Sequence, residues 1–197
     1  RPGARSVVVG DIDEDGFLDL AVACSAVDGV AILRGMGDGS FAPLLAYSVG
    51  AQPYGVALGD LDADGHLDFA SANSGSNTVT VCLGDGLAGF GAPITLALSD
   101  SPRSIALGDF NGDSWLDIAV AYHNLQAVAI LLNTQAGSFG PATGFNTAGS
   151  QLRSLVVGDL SQDGILDLAC VTQLSHAMIV LKGNGQGGFL SPVQYLM

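Results

Sequence analysis

The chain repeats itself with a period of about 49 residues, and this period constrains its fold more than any other feature. A nine-residue acidic segment occurs four times in the 197 residues, at 11–19, 60–68, 109–117 and 159–167. Its first aspartate therefore recurs after 49, 49 and 50 residues, and a phenylalanine keeps the same spacing at positions 41, 90, 139 and 189. Two markers in one register indicate an internal repeat, and a period of about 20–50 residues is typical of solenoids, propellers and other arrays.

Each repeat predicts four short strands. In the first repeat the apolar runs are 6–9, 18–23 and 30–33, and a less regular fourth run follows the phenylalanine, as at 93–98 of the second repeat. These runs show little alternation of apolar and polar residues, which is typical of strands that are covered on both faces of their sheet. Glycine-rich or polar turns separate the runs, and none of useful length has a helical period.

Four strands in a repeat of this length, in sheets that need cover on both sides, describe the blade of a β-propeller. We therefore predict an all-β fold, a β-propeller of four-stranded antiparallel blades, with four blades in a single domain of residues 1–197. The blades are expected at about 1–49, 50–98, 99–147 and 148–197. Because an unclosed arc exposes apolar blade faces, we expect a partial propeller completed by further blades of a longer parent chain or by neighbouring subunits. A compact four-bladed ring and the pairing of two chains are the alternatives.

The repeated acidic segment has the pattern of a cation-binding loop, Asp-x-Asp-x-Asp-Gly-x-x-Asp. Positions 1, 3, 5 and 9 supply side-chain oxygens, position 7 supplies its carbonyl, and glycine at position 6 allows a left-handed turn. Ca²⁺ accepts about six to eight oxygens in flexible geometry, whereas Mg²⁺ requires a stricter octahedron. The ligand positions of the four loops hold 14 of the 19 acidic residues, and crowded carboxylates repel one another unless a cation lies among them. We therefore predict up to four Ca²⁺ ions, one in each repeat.

An EF-hand is the rival interpretation of these loops, and two features argue against it. The last ligand of an EF-hand loop is a glutamate at position 12. In the four repeats that position is occupied by Val22, Ser71, Val120 and Cys170. In addition, predicted strands rather than helices flank each loop.

The candidate calcium ligands occupy the same five positions in all four loops. They are Asp11, Asp13, Asp15, Phe17 and Asp19 in loop one, Asp60, Asp62, Asp64, His66 and Asp68 in loop two, Asp109, Asn111, Asp113, Trp115 and Asp117 in loop three, and Asp159, Ser161, Asp163, Ile165 and Asp167 in loop four. Asn111 and Ser161 each replace a carboxylate, and Ser114 replaces the glycine of loop three. A lost charge lowers calcium affinity, and a non-glycine residue in the left-handed region costs about 1 kcal/mol. We expect sites one and two to bind more tightly than site four, and site three to be the weakest.

Three of the six basic residues share one position of the repeat. Arg5, Arg103 and Arg153 lie six residues before the first aspartate of their loops, and Tyr54 completes the set. We expect these residues to lie at the start of the innermost strands. There they would form a partial arginine ring near the axis, on the face opposite the acidic loops. Such a ring is suited to bind a carboxylate or an acidic sugar. The alternative is that each arginine pairs with polar groups of a neighbouring blade.

Two further features distinguish the faces of the predicted propeller. Arg34 and Lys182 share a position 23 residues after the first aspartate, near the acidic loops, where we expect them to offset carboxylates. On the opposite face, the turns between second and third strands differ from repeat to repeat: SAVDG, SGSNT, HNLQA and QLSHA. Because loops on a rigid frame carry recognition, we expect a protein or glycan ligand at that face.

Charge, hydropathy and motif content exclude several functions. Six basic and 19 acidic residues give a formal net charge of −13, and a surface this acidic repels nucleic-acid phosphates and anionic lipids. Apolar runs such as 127–132 fall far short of the roughly 20 residues of a spanning helix. His66, His123 and His176 occupy different positions of the repeat, and no nucleophile or zinc-protease motif occurs. We therefore expect no nucleic-acid partner, no membrane span and no enzymatic activity.

The acidic loop DIDEDGFLD, the run LDLAVA that overlaps its end and the Phe-Gly-Ala-Pro segment at 90–93 resemble the FG-GAP or VCBS repeats of integrin-type β-propellers. The resemblance extends over essentially all 197 residues. It implies calcium binding, an extracellular or cell-surface location, and usually more blades than this chain contains.

Three functional hypotheses follow, because the family that the chain resembles spans adhesion receptors, lectins and propellers attached to enzymes. The first is a non-catalytic, calcium-stabilised extracellular propeller that serves adhesion or structural assembly through protein–protein contacts, with self-assembly through exposed blade faces as one form. The second is a lectin-like carbohydrate-binding module. The third is an accessory domain of a secreted polysaccharide-degrading enzyme.

Overall fold

The computed structural model describes residues 3–149, 151–174 and 176–196, which form 18 β-strands. No helix occurs in these ranges, and so none that is long and apolar enough to cross a membrane. In chain order the strands are β1 Ala4–Gly10, β2 Asp19–Cys24, β3 Gly29–Leu33, β4 Leu45–Ser48, β5 Pro53–Gly59, β6 Asp68–Asn73, β7 Thr78–Cys82, β8 Ile94–Ala97, β9 Pro102–Gly108, β10 Asp117–Tyr122, β11 Ala127–Leu131, β12 Asn133–Gln135, β13 Ser138–Phe139, β14 Thr143–Asn146, β15 Leu152–Gly158, β16 Asp167–Thr172, β17 Ala177–Leu181 and β18 Val193–Leu196.

Four antiparallel sheets of four strands each account for all strands except β12 and β13. Their strand orders are β1-β2-β3-β4, β5-β6-β7-β8, β9-β10-β11-β14 and β15-β16-β17-β18, so each sheet is a simple meander. We refer to these sheets as blades one to four. The inner strands β1, β5, β9 and β15 pack against one another in that order. This architecture confirms the prediction of an all-β fold of four-stranded antiparallel blades and has the form of a partial β-propeller.

A hydrophobic core lies between each pair of consecutive blades, which explains why the strands show so little alternation. Every residue of β6 and of β10 is buried. Successive side chains of one strand enter different cores: Phe69 packs in the core between blades one and two, and Ala70 packs in the core between blades two and three. In the same way Ile118 and Ala119 of β10 enter the second and third cores. Each central blade is therefore covered on both faces.

The two outer blades each have one uncovered face, so the arc is open. Val56 of β5 is 3% exposed, whereas Val7, its counterpart in β1, is 57% exposed. At the other end, Val156 of β15 is 59% exposed and its counterpart Ala57 is 8% exposed. Within the described ranges, β15 is not among the strands that pack extensively against β1.

The repeated phenylalanine closes the turn that follows the third strand. It forms an isolated bridge in blades one, two and four, and in blade three the same pairing is extended into the hairpin β12–β13, which the sequence pattern does not predict. Phe90 also packs edge-on against Phe69 and Tyr47, with ring centroids 4.7 Å and 5.0 Å apart. Because Tyr47 belongs to blade one and Phe69 to blade two, this aromatic cluster joins the two blades.

We predict that Phe90→Ala lowers the free energy of unfolding by about 2–4 kcal/mol, because it leaves a cavity in the core between blades one and two. The matched control is Phe41→Ala, at the same position of the first repeat, where the ring is 42% exposed. That variant is expected to lose less than about 1 kcal/mol. Urea unfolding followed by circular dichroism measures both, and equal losses would contradict the assignment of Phe90 to a shared core.

Candidate metal centres

Each acidic loop connects the first strand of a blade to the second, at residues 11–18, 60–67, 109–116 and 159–166. Backbone hydrogen bonds join a loop to the following blade: the Gly137 N–H donates to the Leu61 carbonyl at 3.0 Å, and the Gly187 N–H donates to the Phe110 carbonyl at 2.9 Å. The loops therefore lie on one face, which we call the acidic face, beside the turns that precede each phenylalanine.

All four loops use the left-handed backbone conformation twice. Position 6 has φ between 72° and 94° in every loop, and Ser114 adopts 72° there. Position 4 is also left-handed, with φ of 57° at Glu14, 58° at Ala63 and 59° at Gln162. Loop three has its glycine at this position, Gly112, with φ of 78°. The sequence predicts the turn at position 6, but the second turn carries no glycine in three loops and gives no signal.

Backbone N–H groups of the loop hold the aspartates at positions 1 and 5. In loop one, Asp11 Oδ2 accepts from the Gly16 N–H at 3.1 Å, and Asp15 Oδ1 accepts from the Phe17 N–H at 2.8 Å. Equivalent bonds recur in the other three loops. The loops are thus wrapped by their own carboxylates.

The aspartate at position 9 ties the loop to the end of the third strand. Asp19 is 0% exposed; its Oδ2 accepts from the Ile12 N–H at 2.8 Å, and its Oδ1 accepts from the Gly35 N–H at 2.7 Å. The same clamp is formed by Asp68, Asp117 and Asp167. A carboxylate is suited to this role because it accepts from two separated donors. Sequence reasoning assigned these residues to a cation alone and missed the clamp.

Burial disfavours the ionised form of several of these carboxylates. Desolvation raises the pKa of Asp68 and of Asp117 to about 6, against the lowering effect of the hydrogen bonds from backbone N–H groups. The pKa values of Asp13 and Asp62 are raised as well, first by burial and then by neighbouring loop carboxylates. A bound cation would offset this repulsion.

Loops one and two bring carboxylates close enough to share one cation. Oxygens of Asp11, Asp13 and Asp15 lie within 4.8 Å of one another, and so do oxygens of Asp60, Asp62 and Asp68. Two oxygens of loop one, Asp11 Oδ1 and Asp13 Oδ1, are buried and have no hydrogen-bond partner among the described residues. Buried acceptors without partners are costly, and a hard divalent cation is the partner that suits them. The residues of loop one therefore fit Ca²⁺.

Loops three and four do not form such a group within the part of the chain that the structure describes. In loop three, Asn111 turns its amide toward Asp113, with 2.9 Å between Nδ2 and Oδ2. In loop four, Lys182 Nζ lies 3.0 Å from Asp163 Oδ2, and its hydrogen bond lowers the pKa of that carboxyl. Arg34 in the same repeat position lies 3.4 Å from Asp13 Oδ2. Both cations therefore lie beside loop carboxylates, as the sequence predicts.

Position 7 presents its side chain outward from the loop. Phe17 packs over Gly37, where an added Cβ would lie 2.3 Å from the ring, and Ile165 lies beside Gly185 in the same way. His66 Nδ1 lies 2.5 Å from Glu14 Oε1 of loop one, and this contact raises the pKa of the imidazole. The proposed ligand role of the backbone carbonyl at this position, in Phe17, His66, Trp115 and Ile165, remains a prediction.

The opposite face, which we call the turn face, holds the predicted arginine set. Arg5 and Arg103 stack on the Tyr54 ring, with their guanidinium carbons 4.4 Å and 4.0 Å from its centroid. Arg153 instead donates through Nη2 to the Gln173 side chain. The structure therefore brings three of the four predicted residues into one stack and directs the fourth to a turn of its own blade.

His123, the first residue of the HNLQA turn, lies near this arginine set, although the sequence pattern does not include it in the set. Burial and then the charges of Arg103 and Arg153 lower the pKa of its imidazole, which places it within their electrostatic range. His123 Nδ1 and Arg103 Nε are both buried and lack a hydrogen-bond partner among the described residues. The equivalent positions of the other repeats hold Ser25, Ser74 and Gln173. Because no histidine recurs there, the repeat does not predict a role for His123.

We predict that Asp68→Asn lowers the free energy of unfolding by about 1–3 kcal/mol in the presence of a chelator, because an amide oxygen satisfies one backbone donor and its NH₂ group opposes the other. The control is Asp64→Asn in the same loop, where the exposed side chain accepts one hydrogen bond, from the backbone N–H of His66. It is expected to change stability by less than about 0.5 kcal/mol without calcium. Equal effects in urea unfolding would show that position 9 has no clamping role.

Solved structures with similar folds are longer than this chain. A lectin of Agrocybe aegerita that recognises non-reducing terminal N-acetylglucosamine is 22% identical, with a TM-score of 0.63 over 95% of this chain and 51% of that chain. BBS1N, solved in complex with ARL6DN, is 10% identical, with a TM-score of 0.67 over 100% of this chain and 57% of that one. A protein of unknown function from Bacteroides caccae is 12% identical, with a TM-score of 0.59 over 96% and 60%. The chain thus spans about half to three fifths of these structures, which share its fold.

Sequence comparison identifies the repeat itself. No curated protein sequence matches the chain significantly. The FG-GAP-like repeat, however, matches three times, at residues 11–71, 60–120 and 109–170. These overlapping matches cover most of the chain and start at the first aspartate of loops one, two and three. The chain therefore belongs to the FG-GAP-like repeat family.

Proposed function

We propose that this chain is a non-catalytic, calcium-stabilised extracellular propeller module that serves adhesion or structural assembly through protein contacts. The observation that carries the proposal is the carboxylate cluster of loop one, with two buried oxygens that lack a partner among the described residues. Bound there, Ca²⁺ supplies a positive charge that these oxygens can coordinate. The carboxylate clusters occur in loops one and two, which are the two loops expected to bind calcium more tightly.

The position of the loops supports the proposed stabilising role of calcium. Glu14 of loop one contacts His66 of loop two, and the Leu61 carbonyl of loop two accepts a hydrogen bond from Gly137 of blade three. A loop held in one conformation therefore also holds the contacts between neighbouring blades. Calcium sites of extracellular modules have dissociation constants of about 10⁻⁴–10⁻³ M. We assign these loops, which lie at the surface, to that weakly binding class, and this assignment supports the proposed extracellular location.

A binding role for protein partners is supported by the turn face. Its turns are built on a repeated frame but differ in sequence, and Asp100 orders one of them by accepting from the backbone N–H groups of Asn124 and Leu125 at 2.9 Å and 2.7 Å. Ordered turns with unlike side chains are a common basis for specific recognition. The proposal therefore assigns stability to the acidic face and recognition to the turn face.

We predict that calcium at 100 times its dissociation constant adds about 2.7 kcal/mol per site to the free energy of unfolding, and that a chelator lowers the melting temperature. Asp11→Asn keeps an oxygen that can accept from the Gly16 N–H but removes the charge and the unpartnered oxygen, so it should weaken calcium binding roughly tenfold or more. Calorimetric titration and thermal melts measure both effects.

The control variant for calcium binding is Asp28→Asn, which removes one charge outside the loops. Asp28 Oδ1 accepts from the Gln52 N–H at 2.8 Å, and an amide oxygen can replace it. Its calcium affinity should match that of the unsubstituted chain. Absence of binding heat together with an unchanged melt in chelator would reject calcium stabilisation.

A second candidate function is binding of acidic glycans at the turn face. The Arg5–Tyr54–Arg103 stack presents guanidinium groups beside an aromatic ring, and Arg103 Nε is a buried donor without a partner in the described ranges. Arginine binds carboxylates through paired hydrogen bonds. The similar fold of a lectin supports the glycan alternative.

We predict that a glycan array probed in the presence of calcium gives binding to sugars with carboxylate groups, and that Arg103→Gln weakens this binding roughly tenfold to a hundredfold. The matched control is Arg34→Gln, which removes a cation from the acidic face and should leave glycan binding unchanged. An array without acidic-glycan binding, or equal losses in both variants, would exclude this function.

A further inference from the structure

The last residue of every inner strand is a glycine, and between neighbouring blades this glycine receives side chains of the following blade. A Cβ built on Gly10 would lie 2.8 Å from Leu67 Cδ1 and 3.0 Å from Leu58 Cδ1, both in blade two. These distances are shorter than ordinary contacts, so the two leucines occupy the space that a side chain at residue 10 would need.

The same contact recurs at the next two interfaces. At Gly59 the nearest atoms are Leu116 Cδ1 at 2.8 Å and Leu107 Cδ1 at 2.9 Å, in blade three. At Gly108 the Leu166 Cδ1 atom of blade four is at 2.7 Å. Each interface therefore has two halves: the glycine at the end of one inner strand, and the leucine at position 8 of the acidic loop in the next blade.

Blade four has the receiving half of this interface without an occupant. A Cβ on Gly158 would meet no atom within 4 Å in the described part of the chain. The apolar residues around it are also uncovered: Leu160 is 54% exposed, whereas Leu61 at the same repeat position is fully buried. We call this surface, with Val156, Gly158, Leu160 and Tyr195, the tail face.

Blade one has the inserting half. Leu18, the counterpart of Leu67, is 65% exposed, and Val9, the counterpart of Leu58, is 56% exposed. With Val7 they form the head face. Both faces are apolar, and uncovered apolar patches on a folded protein usually mark interaction sites.

A hydrogen bond between blades shows the same division. The Tyr47 hydroxyl of blade one donates to the Ala88 carbonyl of blade two at 2.6 Å. The tail face has the corresponding donor, Tyr195, which is 51% exposed. Gly39 occupies the repeat position of Ala88 in blade one, so blade one has the corresponding acceptor.

We propose that blade one of one copy docks on blade four of a second copy, with Leu18 and Val9 seated over Gly158 and with Tyr195 donating to the Gly39 carbonyl. The occupant is a second copy because this chain contains both halves of the interface: within the part that the structure describes, the leucine–glycine contact already occurs three times, and the tyrosine hydrogen bond occurs once. Such head-to-tail contacts are heterologous and close into a ring when the rotation permits. Two copies joined at both ends form a closed dimer.

This inference gives the assembly part of the proposed function a surface and a partner, but it does not involve the calcium loops as ligands. Sedimentation equilibrium of the full chain with calcium tests it, and the expected result is a dimer at micromolar concentrations. Gly158→Leu fills the position that Leu18 of the second copy would take. The φ angle of residue 158 lies outside the left-handed region, and a Cβ there has room, so the blade should fold. Leu18→Asp places a charge on the head face. Each variant should weaken dimerisation roughly tenfold or more.

Two control variants match these changes elsewhere on the surface. Gly144→Leu adds the same side chain to β14, where an added Cβ also meets no atom within 4 Å of the described residues. Leu87→Asp adds the same charge at a residue that is 75% exposed in a turn of blade two. Both should dimerise like the unsubstituted chain.

Mixing the two interface variants provides a sharper test. The Leu18→Asp chain retains an intact tail face, and the Gly158→Leu chain retains an intact head face, so the mixture should form a heterodimer through one interface although neither variant dimerises well alone. An unsubstituted chain that is monomeric, equal effects in the control variants, or no heterodimer in the mixture would each overturn the proposal. Calcium stabilisation is read separately from melting and binding heat, so its failure would not alter this result.

Discussion

Burial of both faces of every sheet is the constraint on which this structure depends. A blade contributes side chains from a single strand to two different cores, as Phe69 and Ala70 do, and neither core exists without the neighbouring blade. The free energy of apolar burial, about 25 cal/mol per Å², is therefore gained between repeats rather than within one. This explains why the strands are apolar throughout and why the outer blades are left with exposed valines and leucines.

The acidic loops divide two tasks among chemically identical residues. The aspartate at position 9 is buried and accepts backbone hydrogen bonds from the loop and from the end of the third strand, so it belongs to the framework. In loop one, the aspartates at positions 1 and 3 keep oxygens that have no hydrogen-bond partner among the described residues. In loops three and four the clamp is kept while the oxygens open to a cation are fewer. Asp117 and Asp167 accept the same backbone hydrogen bonds as Asp19. The carboxylate at position 5, however, contacts Asn111 in loop three and Lys182 in loop four.

Much of the fold could be predicted from the sequence because the four repeats show four residues at each position, and features that recur stand out from those that do not. The fold class, the antiparallel blades and the family resemblance are confirmed. Features that depend on backbone conformation without a compositional marker could not be predicted, such as the left-handed residue Ala63 at position 4. The clamp was missed for a different reason: a ligand and a hydrogen-bond acceptor require the same residue, so Asp19 carries no sign of which role it has. Arg153 diverges from Arg103 because of Gln173, a neighbour specific to one repeat.

The glycine at the end of each inner strand bears on how such chains change in length. Because one repeat contains both the small residue that admits its neighbour and the leucine that its other neighbour admits, a duplicated copy of the gene segment would encode a unit already compatible with the units on either side. A deletion of one whole repeat would likewise join two surfaces that fit. Gain or loss of a complete blade would therefore preserve the glycine–leucine contact at the new junction.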